Sequence, residues 1–253
     1  MIKPMGKERI KAAILGVVGI IIMLVVWEIA GRQGWLGRGW PPFSAIVDSF
    51  IDNRVIFGRA IPATLSEAGK GFLAGILLGL IMAMAGLLAP SLNRGIGRMA
   101  TLLNSIPWIA LGPLMVMVLS SDSVPFTFAL LAVFFASFIA LSSGFQLAGT
   151  VHHDALTVMG SSKWIRFRRL QLPVAVPSLV YAAKLGAPAA MFGVIFGEWF
   201  GSSKPGLGSL IITSLQTLQT DRLWAAATIT ALIAMVAYGV LAWAEQAAMG
   251  RFR

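Results

Sequence analysis

Cysteine is absent from the 253 residues, so disulfides and thiolate metal sites are excluded. Histidine occurs only as the neighbours His152 and His153. Two adjacent rings without a third ligand make a poor metal site, and no other histidine is available to serve a nucleophile as base. These absences argue against a membrane enzyme, so neither catalytic nor metal-ligating residues are assigned. Charge is scarce as well: 12% of residues are Asp, Glu, Lys or Arg, against about 25% in soluble domains. With 57% hydrophobic residues the chain reads as an integral membrane protein. No Gly-x-x-x-x-Gly-Lys-[Ser/Thr] loop occurs, so the chain does not bind ATP by that route. No secretory cleavage pattern follows the first apolar segment, which is therefore read as retained.

What charge there is carries information. Lys and Arg number 20 against 10 Asp and Glu, a net +10. The basic residues form short clusters beside apolar runs. That arrangement marks membrane topology and contact with anionic headgroups in the lipid bilayer, not nucleic acid. Most ionisable groups among the apolar runs sit near run ends: Glu28, Glu67, Lys70, Glu198 and Glu245. Only Lys184 lies clearly inward, about 16 Å past Pro173 at 1.5 Å per residue. It either lends positive potential to a solute route or snorkels to the inner interface along its four-carbon stem. An ion-gradient-driven secondary transporter, the alternative function, would place ionisable groups near mid-membrane and carry internal repeats, and no repeat is visible.

Taken in order, the chain predicts six transmembrane helices and an all-α, polytopic membrane protein. Residues 1–60 hold a basic tail, a first span over 12–30 and an external segment, with a short interfacial helix over 43–50. Residues 61–253 form the core. Its second span runs 61–93, with Pro62 suited to a first helical position. Gly71, Gly75 and Gly79 repeat every four residues there, predicting a smooth face for close helix packing. The third span, 99–121, is interrupted by Pro107, Gly112 and Pro113. Such breakers are tolerated where protein or a water-filled cavity satisfies the freed carbonyls, so this span is predicted beside the pathway. The fourth, fifth and sixth spans are 123–150, 174–200 and 223–244, with an external loop over 201–222. Both termini then fall on the side with more Lys and Arg, the cytoplasmic one.

The long polar interval 151–173 stands apart, with Lys163, Arg166, Arg168 and Arg169 within it. Asp154 or the histidines suit the start of a short helix, Gly160 a turn, and Trp164, Phe167 and Leu170 one side of a second short helix. Pro173 then opens the next helix. Helix, glycine turn, helix on a membrane face is the expectation.

The same interval resembles the loop of binding-protein-dependent ABC importer permeases, whose pattern is Glu-Ala-Ala, three residues, Gly, nine residues, Ile-x-Leu-Pro. Here Asp154, Ala155 and Leu156 occupy the triplet, Gly160 follows after three residues, and Leu170-Gln171-Leu172-Pro173 closes the pattern. Asp replaces Glu, Leu the second Ala, and Leu the Ile. From Ile61 to Glu245 the chain is similar to the nitrate/sulfonate/taurine branch, through Thr64-Leu65, Asn104-Ser105-Ile106-Pro107 to Pro113, and Glu198 with Gly206-Leu207-Gly208. Where that branch has a Gly-rich turn and Ser-Lys, this chain has Ser120-Ser121-Asp122-Ser123-Val124-Pro125.

The resemblance implies the type I ABC importer permease fold in a bacterial inner membrane. It implies a second permease subunit, two ATPase subunits carrying the ATP and Mg, and an external substrate-binding protein. This chain would hold no cofactor. Contact with the ATPase is implied for Asp154, Ala155, Leu156, Gly160, Trp164, Arg166, Phe167, Leu172 and Pro173. Pro107, Pro113, Lys184 and Glu198 are the pathway candidates.

Overall fold

The computed structural model describes residues 7–37, 39–146, 159–202 and 204–249. Ten α-helices and no strand occur among the described residues: α1 (Lys7–Gln33), α2 (Phe43–Asp52), α3 (Arg54–Leu88), α4 (Pro90–Ser105), α5 (Trp108–Val118), α6 (Val124–Gln146), α7 (Lys163–Arg166), α8 (Leu172–Phe200), α9 (Leu207–Gln216) and α10 (Thr220–Met249). Five are long and apolar enough to cross a bilayer: α1, α3, α6, α8 and α10. The chain is a multi-pass membrane protein.

The centre of the bundle is α6, packed between α3 and α8. Between helices in lipid there is little hydrophobic gain, so close backbone approach and dispersion must hold them. Two glycine rows make that approach possible. A Cβ on Gly75 would fall 2.7 Å from the carbonyl oxygen of Leu130, and one on Gly79 2.8 Å from Ser137 Cβ. A Cβ on Gly71 would overlap Ala129. On the other side of α6, a Cβ on Gly197 would fall 2.6 Å from Pro125 Cα and one on Gly193 would press on Phe128. Three apolar clusters follow along the bundle: Phe134, Phe138 and Leu141 with Ala182 at one end, Val133 with Met191 and Val194 in the middle, and Phe57 with Leu207 and Ala225 at the other.

Three expectations need correction. The third span is not one helix. Pro107 has no N–H and pushes Ile106 out of α geometry, so the chain breaks into α4 and α5. The second span begins at Arg54, not Ile61, and Pro62 lies inside α3. An interior proline costs about 3 kcal/mol, and burial of Phe57 and Ala60 against α9 and α10 offsets it. The boundary drawn at residue 60 therefore falls within a helix. Third, the external loop over 201–222 contains α9. Gly206 precedes it in extended conformation, and the Gly206 N–H donates to Ser209 Oγ at 2.8 Å.

The first sixty residues are fastened at the α9 end of the bundle. Trp27, Trp40 and Trp224 cluster with ring centroids 4.7–5.2 Å apart. Trp27 donates to the Pro41 carbonyl at 3.1 Å and Trp224 to that of Gly39 at 2.8 Å. Away from this clasp α1 is almost wholly uncovered.

The glycine row on α3 is directly testable. Gly75→Leu is expected to cost at least about 1–3 kcal/mol by overpacking against Leu130 and Val133, and to lower the yield of folded protein. Gly16→Leu, on a helix position with open space around it, is the control. Equal thermal midpoints for the two variants in detergent would show that the row does not hold α6.

Candidate functional site

The long helix α8 connects two polar regions whose chemistry differs, one before its start and one at its end. At its start, Gly160 takes a positive φ of 74°, a conformation that glycine adopts without strain. Ser162 follows at the cap position of α7, its Oγ accepting the Ile165 N–H at 3.3 Å. Residues Phe167–Gln171 then form a π turn that runs directly into α8. Pro173 supplies the cause. It has no N–H for the Arg169 carbonyl, and its ring collides with that carbonyl in α geometry, so the turn before it is wide.

This end presents both apolar and cationic groups. Trp164 is 66% exposed and stacks at 5.7 Å on Phe167, which is 8% exposed. Arg168, Arg169 and Leu172 are exposed. Trp164 and Phe167 therefore touch, but one ring projects and the other anchors it. Arg166 closes α7. Asp154, Ala155 and Leu156 lie outside the described residues.

At the far end of α8, Glu198 is buried and ties three segments together. Its Oε1 accepts the Thr64 hydroxyl at 2.8 Å, and its Oε2 accepts the Gly208 N–H at 2.7 Å. Thr64 Oγ1 also accepts the Leu207 N–H at 2.8 Å. A carboxylate thus sits at the N-terminus of α9, where free N–H groups and the helix dipole favour it. A Cβ on Gly206 would overlap that carboxylate, so the glycine is needed for space. Beside it, Glu67 accepts from Lys70 at 2.9 Å and from Lys204 at 3.2 Å.

Lys184 lies between these ends, on the α10 side. It is paired with Glu245 across the α8–α10 contact, the two side chains 13% and 15% exposed. Glu245 is close to the end of α10, so the pair lies toward the Gly160 end of the bundle. Pro107 precedes α5 and Pro113 lies inside it; the helix docks on α8 through Trp108, its ring 5.6 Å from Phe192 and 6.1 Å from Phe196. Ser105, Ile106 and Pro107, at the break itself, are exposed. Among the described residues no three His, Asp or Glu come together as a metal site.

Sequence reasoning noted Thr64 without assigning it a role, and did not pair Lys184 with Glu245. One signal was available for the first: a glutamate followed eight residues later by Gly-Leu-Gly, a carboxylate near a tight helix start. Nothing in the spacing identifies Glu245, sixty-one residues from its partner.

Residues 75–249 match the family described as the binding-protein-dependent transport system inner membrane component. The chain belongs to that family. Relatives agree with the assignment. A formylaminopyrimidine transport permease of Halalkalibacterium halodurans is 25% identical over 74% of this chain and 76% of its own length. An ABC transporter permease of Haemophilus influenzae is 24% identical over 90% and 92%. A Bacillus subtilis protein named as a permease for aliphatic sulfonates is 21% identical over 84% and 78%. All three names describe transport subunits, so this is an ABC transporter permease rather than an enzyme. Members of such systems associate with ATPase and substrate-binding components.

Two measurements probe the polar contacts of the permease. Thr64→Val leaves Glu198 Oε1 and the Leu207 N–H buried without that partner, a cost of about 1–3 kcal/mol. A cycle with Glu198→Gln is expected to be non-additive by at least about 0.5 kcal/mol, read from thermal midpoints. Additive losses would mean that the two groups do not act together. For the ion pair, Lys184→Met alone strands a largely enclosed carboxylate and is expected to cost about 3–5 kcal/mol. Lys184→Met with Glu245→Leu is expected to recover most of that loss, and failure to recover would show that the charges themselves are required.

Proposed function

We propose that this permease is one of two membrane subunits of an ATP-driven importer. It forms half of a translocation pathway for a small anionic solute, organic or inorganic, of the sulfonate or nitrate kind. ATP and Mg are held by two separate ATPase subunits, and an external binding protein delivers the solute. The membrane is a bacterial inner membrane with both termini of the chain in the cytoplasm, which places the Gly160 end beside the ATPases.

The observation that carries this reading is the exposed Trp164 on its Phe167 anchor, flanked by Arg168 and Arg169 and joined to α8 without a break. An uncovered indole beside two cations suits a protein partner, because an aromatic anchor with arginine is what interface centres use. Continuity with α8 means that displacement of the knob moves a membrane-spanning rod. ATP-driven closure of the ATPases would therefore shift the cavity between two states, each contacted differently.

The α4–α5 break supports the pathway assignment. Exposed, non-helical backbone at membrane depth is tolerated against a partner or a water-filled cavity, not against lipid. A second permease subunit facing Ser105–Pro107 supplies both. Negative charge on the solute is supported by the sulfonate named for one relative. Selection among solutes falls to the binding protein.

Gly160→Val tests the coupling. A β-branched residue is strained at φ 74°, so the turn shifts and the knob is displaced. ATPase subunits are expected to co-purify in reduced amount, and solute-stimulated hydrolysis and uptake in proteoliposomes to fall by about tenfold or more, about 1.4 kcal/mol of lost coupling. Uptake and hydrolysis equal to the parent transporter would overturn the assignment of this end as the ATPase contact.

A further inference from the structure

A groove of about 350 Å³ lies between α3, α8 and α10, and α6 contributes nothing to its wall. Neither the coupling knob nor the Glu198 contacts border it. Ala68, Gly69, Ala187 and Ala237 leave the trough open, because their side chains end at Cβ or before it, and Phe72 and Leu241 form its sides. A Cβ on Gly69 would meet nothing within 4 Å. The three helices are membrane spans, so the groove lies at bilayer depth. Water gains nothing in an apolar trough, and an empty one forgoes dispersion contacts along its whole lining. An apolar chain would make those contacts.

What that chain is attached to follows from the polar end of the groove. Ala187 is three residues from Lys184, Leu241 four from Glu245, and Ala237 adjoins Tyr238, so one helical turn separates the trough from the ion pair. The only two tyrosines of the chain stand there, with the Lys184 ammonium 4.8 Å from the Tyr181 ring centroid and 5.9 Å from that of Tyr238. Both rings are exposed, and among the described residues neither hydroxyl has a hydrogen-bond partner. A phenol O–H facing lipid needs one.

We propose that the groove and these four side chains bind a zwitterionic phospholipid with a primary ammonium, phosphatidylethanolamine. One acyl chain fills the trough. The phosphate accepts from Lys184 and the tyrosine hydroxyls, and the ammonium donates to Glu245. Charge selects this headgroup. Lys184 is already matched by Glu245, so an anionic lipid such as phosphatidylglycerol brings an unbalanced charge against the carboxylate. A trimethylammonium headgroup has no N–H to donate. The proposal concerns the outer wall of the bundle and stands whatever solute is carried.

The test uses the assembled transporter with its ATPase subunits, exchanged into phosphatidylethanolamine or phosphatidylglycerol and then stripped stepwise, with retained lipids counted by native mass spectrometry. Retention of phosphatidylethanolamine is expected to exceed that of phosphatidylglycerol by about tenfold, the scale of one charge-assisted hydrogen bond. Ala237→Leu fills the trough from its open side and is expected to remove the retained lipid. Lys184→Met with Glu245→Leu is expected to keep a lipid but lose the preference. Should either fail to assemble, Tyr181→Phe with Tyr238→Phe keeps both rings and is expected to lower the preference several-fold. Equal retention of the two lipids by the parent transporter would overturn the proposal. So would a disulfide between single cysteines placed at Ala237 and at Ile21 of a second copy, since the chain has none of its own and such a bond would mean that α1 of a neighbour covers the groove.

Discussion

In a bilayer two helices gain little by hiding leucine from lipid, because the surrounding tails are as apolar as the side chain. Here α6 is therefore held by proximity. Glycines at every fourth position of α3, and Gly193 with Gly197 on α8, bring neighbouring backbones within reach of the α6 main chain. Dispersion falls steeply with distance, so this closeness supplies what the hydrophobic effect supplies in a soluble core. Everything else is referred to the resulting three-helix unit. The α5 segment docks on α8 through rings, α9 caps one end, α10 runs beside α8 as far as the Lys184–Glu245 pair, and α1 hangs from a tryptophan clasp.

The helix α8 runs without interruption from the π turn to Phe200, with Pro177 and Pro188 carried inside it. Its 29 residues span about 43 Å. The π turn and Gly160 stand at one end and Glu198 at the other. The far end is tied by buried hydrogen bonds to α3 and to the start of α9. The prolines explain why the rod starts where it does. Pro173 prevents an ordinary turn before it, and so separates the exposed knob from the spanning part without a flexible linker.

Much of the candidate site was legible because its signals are local. Gly160, Trp164 and Phe167 stand close together in the chain, and a turn that needs a positive φ names its own residue. The glycine row on α3 was legible for the same reason, as a period. Thr64 and Glu198 are 134 residues apart, and Lys184 and Glu245 sixty-one. Neither pairing leaves a trace in spacing. The helix α9 was read as a loop because Gly206-Leu207-Gly208, at its start, signals a turn. Only burial of Leu207 and Leu210 against α2, α3 and α10 makes it worth ordering.

Sequence by itself determined the class of molecule: scarce charge and long apolar runs leave a helical membrane protein, since each helix satisfies its own backbone in lipid. It also determined the basic loop and its glycine turn, which depend on neighbours in the chain. Tertiary structure decided which charges are matched, that Pro62 is carried inside a helix while Pro107 breaks one, and which faces are covered. The two prolines carry the same intrinsic penalty. They differ because the turn before Pro62 buries Phe57 and Ala60, whereas Ser105 and Ile106 before Pro107 are exposed and have little packing to lose by leaving the helix.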